Sequence, residues 1–209
     1  MSGEVPQKVI GFSPPRRRPG SPGEGHTVVM GSPPSADVWL DERITLGASS
    51  IDGNGLFFAA SVPVASVVIR LGGSLVSTER LQALIETARH DPEALFIDTI
   101  TIDEGEHLVL PPRTPVHFGN HSCDPTLWHV SPYELATTRP VEPGEEATVD
   151  YGTQSGAPGF HMACSCGSMN CRGVVSSEDW RDERMRVRYQ GHWVPALQAR
   201  IDAGQTNGS

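Results

Sequence analysis

Asn120-His121-Ser122-Cys123-Asp124-Pro125 is the stretch on which the reading of this chain turns. It sets an amide, an imidazole, a hydroxyl, a thiol and a carboxylate ahead of a turn-fixing proline, a mixture unsuited to a core strand or a solvated helix face. The stretch reads as a site loop. Three other segments acquire a chemical meaning beside it: Ser50 to Phe58, Gly144 to Tyr151 and Cys164 to Gly173. Cys123 is the one cysteine outside Cys164-Ser165-Cys166-Gly167-Ser168-Met169-Asn170-Cys171, so the four cysteines divide into a remote thiol and a tight cluster.

That division is a ligand pattern. Cys164 and Cys166 are too close in sequence to bridge easily to each other, so a metal is favoured over two disulfides. Four thiolates complete a tetrahedral zinc with Zn–S bonds of about 2.3 Å and leave no position for water, which makes the site structural. Cys164, Cys166 and Cys171 are local ligands, and folding must bring in Cys123 from about forty residues upstream. Zn2+ binding would thus order the C-terminal cluster against the central loop.

A chain of 209 residues can bury a real core, as one domain with loose ends. Its formal net charge of -9 argues against general binding to nucleic-acid phosphates and suits a basic partner such as a lysine- or arginine-bearing peptide. No basic-then-apolar leader opens the sequence, and the longest apolar region, Leu56 to Ile69, is broken by Ser61, Pro63 and Ser66. It is too short to span a bilayer. The expectation is a soluble, intracellular protein without membrane attachment, cytoplasmic or, in a eukaryote, nuclear.

Along the chain, residues 1–36 hold seven prolines among glycines and serines, which predicts a disordered tail with Arg16-Arg17-Arg18 as solvated charge. Asp37 to Phe58 reads as short strands and turns, with Asp52-Gly53-Asn54-Gly55 as a hairpin turn when taken alone. Val62 to Val76 reads as buried strands ended by Gly72-Gly73. Leu81, Leu84, Ile85 and Ala88 recur at helical spacing, which predicts a helix from Ser77 to His90, capped by Ser77 or Thr78 and stopped by Asp91-Pro92. Leu95 to Ile102 and His107 to Leu110 flank Asp103-Glu104-Gly105-Glu106, a hairpin signature. Val130 to Thr138 and Glu145 to Tyr151 read as strands. Ser176 and Ser177 are candidate caps of a helix through Trp180, and Pro195 suits the first turn of a helix carrying Leu197 and Ile201. Trp180, Tyr189 and Trp193 read as packing residues, and Asp202 to Ser209 as a fraying end. The expected fold class is mainly β with few helices.

At this point the residues carry a specific resemblance. Asn120 to Pro125, Gly144-Glu145-Glu146-Ala147-Thr148-Val149-Asp150-Tyr151 and Cys164 to Gly173 resemble the two site motifs and the post-SET segment of SET-domain protein lysine methyltransferases. Ser50 to Phe57 is similar to that family's cofactor segment. The order and spacing match from about Asp37 to Val175.

The resemblance implies a SET-like catalytic domain over 37–159, a post-SET zinc segment over 160–175 and a helical C-terminal extension over 176–209. It implies small sheets, with the Asn120 loop and the strand ending at Tyr151 passing through one another as a pseudoknot. S-adenosylmethionine would lie against Gly53, Asn54, Gly55 and Leu56, with Asn120 and His121 hydrogen-bonding to it and an apolar residue near Val174 or Trp180 over the adenine. Tyr151 would border the cofactor and act as the catalytic residue. A lysine-bearing protein or peptide would enter from the opposite face.

Four positions depart from the family pattern. Leu71 stands where a channel tyrosine is common, His117 where an arginine is, Thr126 where an asparagine is, and Val149 where an aromatic is. No cysteine-rich segment lies ahead of the domain. These departures leave room for a SET-fold enzyme acting on a small molecule or catalysing another reaction, and a third reading is a zinc-stapled peptide-binding module without turnover.

Overall fold

The structure, a computed structural model, describes residues 33–90, 97–156 and 159–206. Strands β1 (Trp39–Leu40), β2 (Ile44–Ala48), β3 (Asn54–Phe58), β4 (Val67–Arg70) and β5 (Ser74–Ser77) precede helix α1 (Thr78–Arg89). Then come β6 (Thr99–Asp103), β7 (Glu106–Val109), β8 (Leu127–Ser131), β9 (Glu134–Thr137), β10 (His161–Ala163) and β11 (Val174–Ser176), followed by α2 (Glu183–Arg188) and α3 (Pro195–Thr206). The strands form antiparallel sheets in the orders β1-β4-β9-β8 and β5-β7-β6, together with the pairs β2-β3 and β10-β11. The mainly β architecture with few helices agrees with the sequence reading.

Local chemistry accounts for most of these elements. The Asp52–Gly55 turn joins β2 to β3, with Gly53 at φ 51° and the Ser49 N–H donating to Gly53 O at 2.9 Å. Gly105, at φ 80°, turns β6 into β7. Helix α1 starts where Ser77 Oγ accepts from Arg80 N at 3.2 Å. Leu81 is its buried contact, with Leu84, Ile85 and Ala88 half-buried on the same face. Asp91-Pro92 and Leu95 lie outside the described residues, as do residues 1–32 of the proline-rich tail. Residues 35–37 lie against the glycine pair between β4 and β5: Gly73 N donates to Ser35 O, and a Cβ on Gly72 would fall 2.1 Å from Asp37 O.

Several boundaries differ from expectation. Val62 to Val76 contains β4, the Leu71-Gly72-Gly73 turn and most of β5, because Gly73 adopts φ 140° and redirects the chain without ending the sheet structure. Val130 to Thr138 is not one strand. It holds the end of β8, a turn at Pro132-Tyr133 and β9, and strand β8 begins at Leu127, ahead of the expected start at Val130. The proposed Ser176/Ser177 helix is a short 3-10 turn at Asp179–Arg181; Asp182 caps α2 by accepting from Arg184 N, a better acceptor nearer the helix start. Helix α3 continues through Asp202 to Thr206.

Glu145 to Tyr151 also differs from a regular strand, for a reason that positions the site. It changes partners midway. Phe58 N donates to Glu145 O and Ala147 N to Leu56 O, holding its first half to β3. Val149 N then donates to Asn120 O, Ser122 N to Val149 O and Leu127 N to Thr148 O, so its second half lies between the two arms of the Asn120–Leu127 loop. Thr126 Oγ1 and Thr148 Oγ1 each accept from the other's backbone N–H, locking the crossing. This is the threading that the resemblance implies. Leu56, Phe58, Val62, Val68, Leu108, Leu127, Val141 and Ala147 form its core, joined by Tyr189, Trp193, Val194 and Leu197 from the C-terminal extension.

Candidate functional site

The crossing brings three of the four singled-out segments to one place. Asn120 Nδ2 donates to Glu146 Oε1 at 2.7 Å and to the carbonyls of Asn54 and Asp52 at 3.0 and 3.2 Å. One amide thus ties the β2–β3 turn to the crossing segment, and its Oδ1 takes part in none of these bonds. Gly53 and Asn54 are exposed and Gly55 is buried. Leu56 is fully buried, its side chain in the core and its carbonyl bonded to Ala147 N, so Gly53 and Asn54 are the part of the expected cofactor segment open to a ligand.

His121 is placed differently from Asn120. Its Nδ1 accepts from Tyr151 N at 3.1 Å, which leaves the ring proton on Nε2, 3.3 Å from Cys123 Sγ. Burial pulls its pKa down to about 4, with the Asp150 carboxylate opposing and Arg172 reinforcing. A neutral ring therefore braces the loop. In the parallel bridge it is Asn120 O and Ser122 N that pair with Val149, which turns the backbone N–H and C=O of His121 to the other edge.

Tyr151 opens the 3-10 turn Tyr151–Thr153, where Asp150 Oδ1 accepts from Gly152 N. Its hydroxyl donates to Gly119 O at 2.6 Å, and burial, then the charges of Asp98, Asp52 and Glu146, push its pKa upward. The ring also lines a cavity of about 430 Å³ whose wall includes Leu71, Asp98, Leu127, Val149, Gln154 and Phe160. Leu71 and Val149, two of the departures, make that wall aliphatic. His117 donates to Asp98 Oδ2 at 3.1 Å and to Pro111 O at 3.0 Å. Both partners are acceptors, so the two bonds together require an imidazolium, and Asp98 raises the His117 pKa against the effect of burial. Thr126 Oγ1 donates to Glu146 O.

The four cysteine sulfurs lie within 4.8 Å of one another. Cys123 and Cys164 are 3.7 Å apart, close to the roughly 3.8 Å edge of a tetrahedron with 2.3 Å bonds. Backbone N–H groups of Cys123, Arg172 and Gly173 point at the sulfurs of Cys166, Cys123 and Cys171 at 3.4 to 3.5 Å, the support that thiolate ligands take. The donor set fits zinc, and no disulfide joins these cysteines.

Two charged residues that the sequence reading passed over connect the thiol cluster to Tyr151. Asp150 is almost fully buried and accepts from both Nη atoms of Arg172 at 2.7 Å and from Tyr189 Oη at 2.9 Å. Arg172 Nη2 also reaches Asp179 Oδ2 at 3.0 Å. Arg188 bonds to Cys123 O and Asp124 Oδ1, so α2 clasps the site loop from outside. Val174 remains exposed in β11, while Trp180 is partly buried against the core.

A family model described as SET domain matches residues 34–152, more than half of the chain. The chain belongs to the SET-domain family. It is similar to the histone-lysine N-methyltransferase ash1 of Drosophila melanogaster, at 37% identity over 71 residues covering 31% of this chain and 3% of that protein. The histone H3-lysine(4) N-trimethyltransferase ATX1 of Arabidopsis thaliana is 26% identical over 162 residues, covering 70% of this chain and 14% of that protein. Among solved structures, the methyltransferase domain of human histone-lysine N-methyltransferase SETMAR aligns over 63% of this chain and 57% of that one, at 18% identity and a TM-score of 0.49. The chain thus spans a small part of the curated relatives it matches.

Proposed function

We propose that this chain is an S-adenosylmethionine-dependent methyltransferase acting on a lysine amine of a protein or peptide. The observation that carries the reading is the position of Tyr151. Its ring lines the cavity, and its hydroxyl is fixed to Gly119 O, next to Asn120 and the exposed Gly53-Asn54 turn. S-adenosylmethionine, when bound, supplies an electrophilic methyl on a cationic sulfur. Gly53 to Gly55, Asn120 Oδ1 and the backbone of His121 are the groups that would hold it.

Lysine has a pKa of about 10.4 in water and must lose a proton before its nitrogen can attack. The apolar wall of Ile69, Leu71, Leu110 and Leu127 disfavours the charged ammonium, and the Tyr151 hydroxyl orients the neutral amine. The bound cofactor would supply the methyl group and keep the S–C electron pair on its sulfur, so that the positive charge would pass to the lysine nitrogen. Cys123, Cys164, Cys166 and Cys171 would hold a structural zinc that takes no part in the transfer.

A second reading, methylation of a small molecule, draws support from the aliphatic channel wall at Leu71. Methyl-labelled S-adenosylmethionine incubated with the full chain and a cell lysate, followed by mass spectrometry of every labelled species, separates the two. A labelled lysine is the expected product; a labelled metabolite would favour the second reading. Calorimetry adds a check on the site, since Asn120→Ala should weaken cofactor binding far more than Trp193→Ala. No labelled species, together with no cofactor binding by the unaltered chain, would overturn both readings.

A further inference from the structure

Glu146 occupies an unusual position for a carboxylate. Ser49 Oγ donates toward both of its oxygens at 2.9 Å, and Asn120 Nδ2 donates to Oε1 at 2.7 Å. Both donors are neutral. Among the described residues Glu146 has no cationic partner, although it is only partly exposed. Other carboxylates among the described residues meet arginine: Asp41 with Arg43, Asp150 with Arg172, Glu145 with Arg139. A partly desolvated carboxylate held only by neutral donors retains an unbalanced charge, which favours a cation brought by a ligand.

The surroundings locate that ligand. A Cβ on Gly55 would lie 2.2 Å from Glu146 Oε1 and 3.1 Å from Ser49 Cβ, so the missing side chain is what lets the carboxylate rest on the Gly53–Gly55 backbone. Ser49 Oγ is itself fixed by accepting from Ile51 N at 2.9 Å. Phe57 and Glu146 are bridged through their backbones, which fixes the level at which the side chain crosses β3. The charge of Glu146 also reaches the phenol of Tyr151, where it is among the influences disfavouring a phenolate.

We propose that Glu146 is the charge-selecting residue of the cofactor site, favouring cationic S-adenosylmethionine over S-adenosylhomocysteine, whose sulfur is neutral. The inference rests on the methyltransferase reading of the same site. Methyl transfer removes the sulfonium charge from sulfur, so the attraction that helped to hold the cofactor is lost in its product. Glu146 thereby biases the site toward release after turnover. Its second role is positional: by accepting from Asn120 Nδ2 it keeps Oδ1 of that amide free as an acceptor.

The test uses the full chain and titration calorimetry with each of the two ligands. Glu146→Gln preserves size and hydrogen-bonding capacity while removing the charge. The ratio of the S-adenosylhomocysteine Kd to the S-adenosylmethionine Kd should fall about fivefold or more, since the variant removes one of two opposite unit charges acting in a partly desolvated site. Glu142→Gln removes an equal charge from an exposed position and should leave the ratio unchanged. An unchanged ratio in Glu146→Gln, or an equal fall in Glu142→Gln, overturns the proposal while leaving the methyltransferase reading intact. Failure of the unaltered chain to bind either ligand defeats that reading and the proposal with it. Should Glu146→Gln not fold, Glu146→Asp, which withdraws the same charge by one methylene, takes its place, and the ratio should fall by a smaller factor than the loss of the charge would give. An unchanged ratio in that variant overturns the inference.

Discussion

Asp150 and Arg172 meet through two parallel hydrogen bonds, Nη1 to Oδ2 and Nη2 to Oδ1, each 2.7 Å. The pair joins the residue before Tyr151 to the residue after Cys171, so the thiol cluster and the tyrosine turn share one fork-shaped contact. Gly152 lacks a side chain because a Cβ there would come within 2.8 Å of Asp179 Oδ2 and 3.2 Å of Arg172 Nη2. The sequence leaves room for these charges by placing glycine between them.

Breaking this pair should be costly. Arg172→Met strands a carboxylate that is 1% exposed, and loss of one partner of a buried ion pair typically destabilises by about 3 to 5 kcal/mol. Tyr189 Oη and Gly152 N remain as donors, so the low end is expected. Urea denaturation checks it. Arg172→Lys should recover part of the loss, since it restores charge without the fork. A change below about 0.5 kcal/mol in Arg172→Met would refute the coupling.

Zinc removal should loosen the same junction. Elemental analysis of the purified chain is expected to give one zinc per chain, and thiol titration to find the cysteines protected until a chelator is added. After chelation, proteolysis should cut first between Ala163 and Gly173, where the ligand loop loses its fastening. Four freely reactive thiols in protein as purified, or two disulfides, would exclude the metal.

His117 gives the fold a pH dependence of definite sign. Its pKa is raised in the folded chain by the bond to Asp98, so its contribution is complete below the unfolded value of about 6.5 and is lost as pH rises through the folded value. His107, His121 and His129 are shifted downward by burial and act in the opposite sense, which makes the total profile a poor test. The difference between the unaltered chain and His117→Gln isolates one group. That difference in unfolding free energy should shrink from pH 6 toward pH 9; a difference that grows would contradict the imidazolium assignment.

The sequence made the small sheets and the site loop legible because hairpin turns, the α1 cap and the cysteine spacing are local signals. Where contacts are long-range it said less. Glu145 to Tyr151 looked like a strand, yet its backbone serves two different partners and keeps only isolated bridges. Glu146 and Asp150 sat in plain view inside a recognised motif, but nothing local distinguishes a carboxylate facing Asn120 from one facing water. Their roles emerge only when residues 26 and 22 positions away arrive beside them. The His117 departure shows the same limit: nothing near it in sequence says what replaces the arginine, whereas the structure supplies Asp98 and Pro111 O as partners for the imidazolium.

Tyr151→Phe tests how the proposed chemistry is divided between binding and alignment. The hydroxyl bonds to Gly119 O and borders the cavity, whereas the groups assigned to the cofactor belong to Asn120, His121 and the Gly53–Gly55 turn. Cofactor affinity should therefore stay within about threefold of the unaltered chain while turnover falls a hundredfold or more, the equivalent of about 2.7 to 4 kcal/mol for one positioned hydrogen-bonding group. Leu71 sharpens the expectation, because the aliphatic side chain offers the amine no second hydroxyl and leaves Tyr151 to orient it. Leu71→Tyr should then raise lysine turnover or change the number of methyl groups added, as read by mass spectrometry of the product. Turnover of Tyr151→Phe at the unaltered rate would remove the lysine-channel mechanism and place a small-molecule acceptor ahead of it.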